Sequence, residues 1–198
     1  MVTAAKMRRP EKLQWTGNDA ADRLIAQDPL ALLIGFCLDQ QVPVQKAFNG
    51  PLAIKQRLGT LDAGKLANTD PGKLEAAFTK TPAIHRFPST MAHRVQALCA
   101  LVDREYAGDA ARLWTEAKDG EDLLRRFAAL PGYGAGKAAS CVAVVANHFG
   151  VKPPGWEKVA PKHPTLGDVA TAEELRQYQA AKRAHKAAMR EASARGQR

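Results

Sequence analysis

Apolar positions recur with a helical period along nearly the whole chain. From Pro29 to Gln41 the residues Leu30, Leu32, Leu33, Ile34, Phe36, Cys37 and Leu38 are apolar in every direction, which predicts a helix buried around most of its circumference. Ser89 to Tyr106 is different: Met91, Val95, Leu98, Leu101 and Val102 share one face, with His93, Arg94 and Arg104 elsewhere, the pattern of an amphipathic helix. Ala20 to Ala26 reads as one short amphipathic turn. Val44 to Leu58 continues after Pro43, with a break expected at Asn49-Gly50-Pro51. Asp70-Pro71, followed by Leu74, Ala77 and Phe78, is a cap-and-proline helix start. Glu121 to Leu130 and Lys137 to Phe149 are two further apolar helices. Val151 to Leu166, rich in Pro and Lys, reads as an extended loop, and Glu173 to Ser193 as a final polar helix. No alternating strand pattern and no repeat interrupts this series, so the fold class is all-α.

Length and charge narrow the picture. A chain of 198 residues buries about 70% of its unfolded surface, enough for one domain or two closely packed lobes. The net charge of +9, from 29 Lys+Arg against 20 Asp+Glu, suits a polyanionic partner. Part of the excess sits near the ends, in Lys6, Arg8 and Arg9 and in Lys182, Arg183, Lys186, Arg190, Arg195 and Arg198. The basic, alanine-rich tail reads either as a solvated helix or as an accessory DNA contact. Cys37, Cys99 and Cys141 lie inside apolar helical runs, with neither disulfide nor metal-box spacing, as buried thiols of a reducing compartment do. His85, His93 and His148 also lack ligand spacing, so neither a metal nor another cofactor is expected. No apolar run reaches the ~20 residues of a membrane span, and no secretory segment is visible. A soluble, cytoplasmic, monomeric protein is expected.

The chemistry concentrates in Leu130-Pro131-Gly132-Tyr133-Gly134-Ala135-Gly136-Lys137-Ala138-Ala139. Glycine at every second position lets the backbone turn tightly and approach a partner closely. The turn opens onto a helix N-terminus, whose unpaired N–H groups and dipole favour an anion. With Lys137 beside it, this is a phosphate-binding arrangement.

Together with two other blocks, these residues resemble the helix-hairpin-helix DNA glycosylase superfamily, of the endonuclease III and 3-methyladenine glycosylase kind. Leu33-Ile34-Gly35-Phe36-Cys37-Leu38-Asp39-Gln40-Gln41-Val42-Pro43-Val44, with Lys46-Ala47, looks like the family's apolar helix ending in a glutamine pair. Phe87, Met91-Ala92 and Arg94-Val95-Gln96-Ala97-Leu98 are similar to its segment ahead of the hairpin. Leu130-Pro131-Gly132-Tyr133-Gly134, with Lys137-Ala138, matches the hairpin. The resemblance covers most of residues 29–150. It implies a two-lobed helical fold without an iron–sulfur cluster, since no cysteine follows Cys141. One lobe would comprise residues 1–28 and 138–198, the other residues 29–137, with the hairpin at the mouth of the cleft. It also implies a nucleoid-associated base-excision repair enzyme, monofunctional, cleaving the N-glycosidic bond of a damaged or mismatched base in duplex DNA. The alternative is a lesion-sensing DNA-binding protein that has kept the hairpin without the chemistry.

The resemblance carries roles onto particular residues. Gly132, Tyr133, Gly134, Ala135, Gly136 and Lys137 would hold the phosphate beside the lesion, with Tyr133 at the hairpin tip facing the DNA backbone. Lys137 falls one residue past the family's nucleophilic lysine, which leaves both phosphate contact and nucleophilic attack open. Gln41 either fills the gap left by the flipped nucleotide or caps the carbonyls before Pro43. The family's aspartate after the second hairpin helix is missing. Glu157 occupies its position by count, with Asp168 a more distant candidate, and Trp156 would line the base pocket.

Overall fold

The computed structural model describes residues 7–195, and among them the regular structure is helical with no strand. The helices are α1 Asp19–Gln27, α2 Pro29–Leu38, α3 Val44–Leu58, α4 Ala63–Ala67, α5 Pro71–Thr79, α6 Pro88–Tyr106, α7 Arg112–Thr115, α8 Gly120–Ala128, α9 Ala135–Phe149, α10 Trp156–Val159 and α11 Ala172–Arg195, with a 3-10 turn at Leu166–Asp168. None is long and apolar enough to cross a membrane. The side chains of Lys6, Lys186, Arg190, Arg195 and Arg198 lie outside the described residues.

Local chemistry sets the starts. The Asp28 carboxylate accepts from the N–H groups of Leu30 and Ala31 at 2.9 and 3.2 Å, and Pro29 opens α2 in the first-turn position that needs no donor. Asp70 caps α5 in the same way through Lys73 N–H at 2.8 Å, again followed by proline. From Leu30 to Leu38 every residue of α2 is buried, as its apolar run predicts.

Two expectations about the chain are corrected. The break at Asn49-Gly50-Pro51 does not occur, and α3 runs through Pro51. An interior proline costs about 3 kcal/mol, and close helix packing offsets it here. A Cβ on Gly35 of α2 would lie 2.4 Å from the Phe48 ring of α3, and one on Gly50 of α3 would lie 2.3 Å from Leu38 of α2. The two helices therefore approach through reciprocal glycines, burying Ala47, Phe48 and Ile54. The stretch 151–166 is not a plain loop, because it holds α10 and enters the 3-10 turn. Asp168 accepts from Thr165 N–H at 2.8 Å in a capping box, so its carboxylate is committed to that turn. Short helices α4 and α7 carry too few residues for a periodic signal.

Helix packing falls into two sets. Helices α1 to α6 pair among themselves, with α2 against α1, α3 and α6, while α7 to α10 and the 3-10 turn gather on α8 and α9. Helix α1 packs with α2 and α3, and α8 packs with α9. The segment ahead of α1 also joins the later helices, through Arg8 N–H to the Phe149 carbonyl at 2.9 Å and Trp15 Nε1–H to the Val169 carbonyl at 3.0 Å. One continuous hydrophobic core runs through both sets.

Candidate functional site

The three sequence blocks converge at the C-terminal end of α2. The turn between α8 and α9 and the first turn of α9 supply further donors to carbonyls of the last two turns of α2. The Tyr133 hydroxyl donates to the Leu33 carbonyl at 2.7 Å, and the Lys137 ammonium donates to the Phe36 carbonyl. Gln40 Nε2 donates to the carbonyls of Cys37 at 3.0 Å and Gly132 at 3.3 Å, while its Oε1 accepts from Arg94 Nη1 at 2.7 Å. One carboxamide thus joins α2, the glycine turn and α6. His85 extends the network: Nε2 bonds the Gln40 carbonyl at 2.9 Å, and Nδ1 accepts from Phe87 N–H at 3.0 Å. Burial lowers the His85 pKa, in keeping with a neutral ring that both donates and accepts.

The turn itself is built for close approach on one side and open on the other. Gly132 has φ +84°, and a Cβ there would lie 2.6 Å from Arg94 Cδ and 3.2 Å from Gln40 Nε2. Glycine is required at that position. Gly134 and Gly136 face open space, and Gly134, Ala135 and Gly136 are all exposed. Gly134 is the N-cap of α9 and brings no side-chain oxygen, and the first bond in the helix is Ala138 N–H to the Gly134 carbonyl at 3.0 Å. The amides of residues 135–137 are therefore left to an external acceptor.

Tyr133 does not face outward. Its side chain is buried, its hydroxyl is taken by Leu33, and its N–H donates to the Leu130 carbonyl at 3.1 Å. The expectation of a DNA contact from Tyr133 is corrected accordingly: its ring needs the core more than the turn needs a tip. Burial raises its phenol pKa well above the usual range. The Lys137 amine is likewise turned inward, 5.5 Å from the Tyr133 ring centroid. Burial lowers its pKa, partly countered by Asp39.

Lys137 opens instead onto a pocket of about 210 Å3, lined by Phe36 and Asp39 of α2, Gly136, Lys137 and Ser140 of α9, Leu166, and Tyr178 and Lys182 of α11. A larger depression of about 570 Å3 lies between α1 and α3, around Leu24, Leu52 and Gly59. That second depression is an open surface groove with exposed Arg23, Gln27, Lys55 and Gln56 at its rim and no residue of the glycine turn in its lining.

Gln41 is exposed and holds φ +56°, a left-handed backbone that costs a non-glycine residue on the order of 1 kcal/mol. Its amide makes no hydrogen bond to a described residue, so the capping role falls to its neighbour Gln40. Nearby are the exposed cations Lys46 and Arg86, and Phe87, which is 41% exposed with the Arg86 guanidinium 4.6 Å from its ring centroid. No role was assigned to Phe87 or Gln40 from the sequence. Both lay in the matched blocks, which was the only available signal.

Glu157 and Trp156 are at the other end of the helix pair. Helix α9 rises roughly 1.5 Å per residue, so its 15 residues carry the chain about 22 Å away from the glycine turn. There the Gly120 N–H, at the start of α8, donates to the Pro154 carbonyl at 2.9 Å, and a Cβ on Gly120 would lie 2.6 Å from the Trp156 Cα. Glu157 is exposed, and Trp156 packs under Lys152, whose amine is 5.5 Å from its ring centroid. Neither lines the pocket beside Lys137, which corrects their assignment as catalytic acid and base-pocket residue. The Pro153-Pro154-Gly155 turn, with Gly155 at φ +76°, folds this loop onto α8 rather than back toward the hairpin.

Among the described residues no group of three or more His, Cys, Asp or Glu side chains is placed to hold a metal ion. No family model matches the chain, and neither a curated protein nor a solved structure does.

Proposed function

We propose that this chain is a base-excision DNA glycosylase of the helix-hairpin-helix type, monofunctional, acting on a damaged or mismatched base in duplex DNA. The observation that carries the reading is the uncapped start of α9, with its exposed backbone at Gly134, Ala135 and Gly136, immediately beside a pocket containing Lys137. Duplex DNA supplies a phosphate to the free amides. Because the Lys137 ammonium is turned toward Phe36, the amides rather than that charge make the phosphate contact. A base rotated out of the stack then enters the adjoining pocket. Gln41, held outward by its left-handed backbone, stands with exposed Phe87 on the face that meets the opened stack.

The rival reading, a DNA-binding protein that senses lesions without cutting, is favoured by the position of Glu157, which leaves the loop after α9 without a carboxylate near the hairpin. The two readings separate in one experiment. Purified protein is incubated with duplexes carrying single alkylated, oxidised, deaminated or mismatched bases, and alkali then reveals abasic sites. Alkali-dependent cleavage of at least one duplex is expected. Cleavage without alkali, with borohydride trapping that Lys137→Ala abolishes, would replace the monofunctional assignment with a lyase. Binding of every duplex with no base released would give the rival the case.

A further inference from the structure

Resting on the glycosylase reading, we propose that Asp39, at the end of α2, is the catalytic carboxylate of this site. It is the only acidic side chain among those lining the pocket beside Lys137. Its backbone is pinned, since the N–H donates to the carbonyls of Gly35 at 3.0 Å and Phe36 at 3.3 Å. Its carboxylate, by contrast, accepts no hydrogen bond and forms no ion pair with any described residue, although it is half-buried.

Stability does not account for that placement. A carboxylate at a helix C-terminus opposes the helix dipole, and a desolvated charge without donors is costly. Departures from local preference of this kind concentrate at functional sites. Lys137 from α9 and Lys182 from α11 face Asp39 across the pocket and provide the opposing charge that keeps it ionised. Burial raises its pKa from the ordinary aspartate value, against the pull of Lys182 and Lys137.

The step balances with water as the second reactant. The bond between C1′ and the base nitrogen breaks, and its electron pair leaves with the base, which takes a proton from solvent. The ionised Asp39 stabilises the positive charge developing on the sugar. A water oxygen bonds to C1′ and its proton passes to Asp39. At about 210 Å3 the pocket lies below the roughly 300–1,000 Å3 of sites for larger ligands, a size suited to one nucleoside.

The test is single-turnover excision on the best substrate of the lesion panel, with wild type, Asp39→Asn and Asp39→Ser. Each protein is also measured for affinity to a duplex carrying an uncleavable tetrahydrofuran abasic analogue, and for thermal melting. Excision is expected to fall about 100-fold or more in both variants, with affinity within about 3-fold and melting unchanged or raised, because a charge opposing the α2 dipole is removed. Wild-type excision by either folded variant overturns the assignment of Asp39 while leaving the glycosylase reading intact. So does a loss of excision matched by an equal loss of affinity. If wild type releases no base from any duplex, the underlying reading fails and this assignment falls with it.

Discussion

Trp15→Ala is expected to destabilise the protein by about 3–5 kcal/mol, the range for removing a fully buried large aromatic. Against a total of roughly 5–15 kcal/mol for a domain, that is a large share. Trp15 is fully buried. Its ring meets those of Phe36, Phe48 and His148 edge-on, at centroid distances of 6.2, 5.1 and 5.7 Å. Its Nε1–H donates to the Val169 carbonyl. One side chain therefore joins the N-terminal segment to α2, α3, α9 and the turn before α11. Its removal would open a cavity where both helix sets meet, and leave the Val169 carbonyl without its partner. Urea unfolding followed by far-UV circular dichroism measures this, with the midpoint lowered and the slope unchanged. A loss below about 1 kcal/mol would show that the two sets are not held together through this ring.

Gly134→Asp is expected to move stability and DNA affinity in opposite directions. The residue is the N-cap of α9, its φ is −84°, and a Cβ there meets nothing within 4 Å. Aspartate fits without strain, bonds the free amides itself and complements the helix dipole. The gain should be about 0.5–1 kcal/mol. The same carboxylate occupies and repels the phosphate site. Losing hydrogen bonds to a charged acceptor costs about 1.5–3 kcal/mol, so duplex affinity should fall about 10- to 100-fold, with a salt slope smaller by about one phosphate. Thermal melting and fluorescence anisotropy over a range of salt read both effects. Unchanged affinity in a variant that melts higher would mean that DNA, if bound at all, is bound elsewhere.

The legible parts of this chain were those written in local pattern. Helix α2 is announced by an unbroken apolar run, α5 by Asp70-Pro71, and the turn before α9 by alternating glycines. Hidden features depended on contacts distant in sequence. Gln40 and Gln41 are adjacent, yet the left-handed backbone at Gln41 turns one amide into the core network and the other into solvent. Tyr133 sits between glycines like a tip residue, and only the Leu33 carbonyl, a hundred positions earlier, explains its inward course. Counting along the chain put Glu157 in the catalytic position, whereas the Pro153-Pro154-Gly155 turn delivers it to the start of α8. Asp39 carries no sequence signal of its own, because the facing Lys137 and Lys182 arrive from α9 and α11. Pro51 read as a break because the reciprocal glycine packing that sustains α3 is a property of two helices, not one.

The central claim is that the free amides at the start of α9 hold a DNA phosphate beside the Lys137 pocket. The most direct measurement follows the backbone 1H–15N resonances while a duplex with a central tetrahydrofuran abasic analogue is added. Ala135, Gly136 and Lys137 are expected to shift most, with Gln41 and Phe87 following, and added salt to reverse the changes. Shifts confined to the basic end of α11, with residues 135–137 unmoved at saturation, would contradict it.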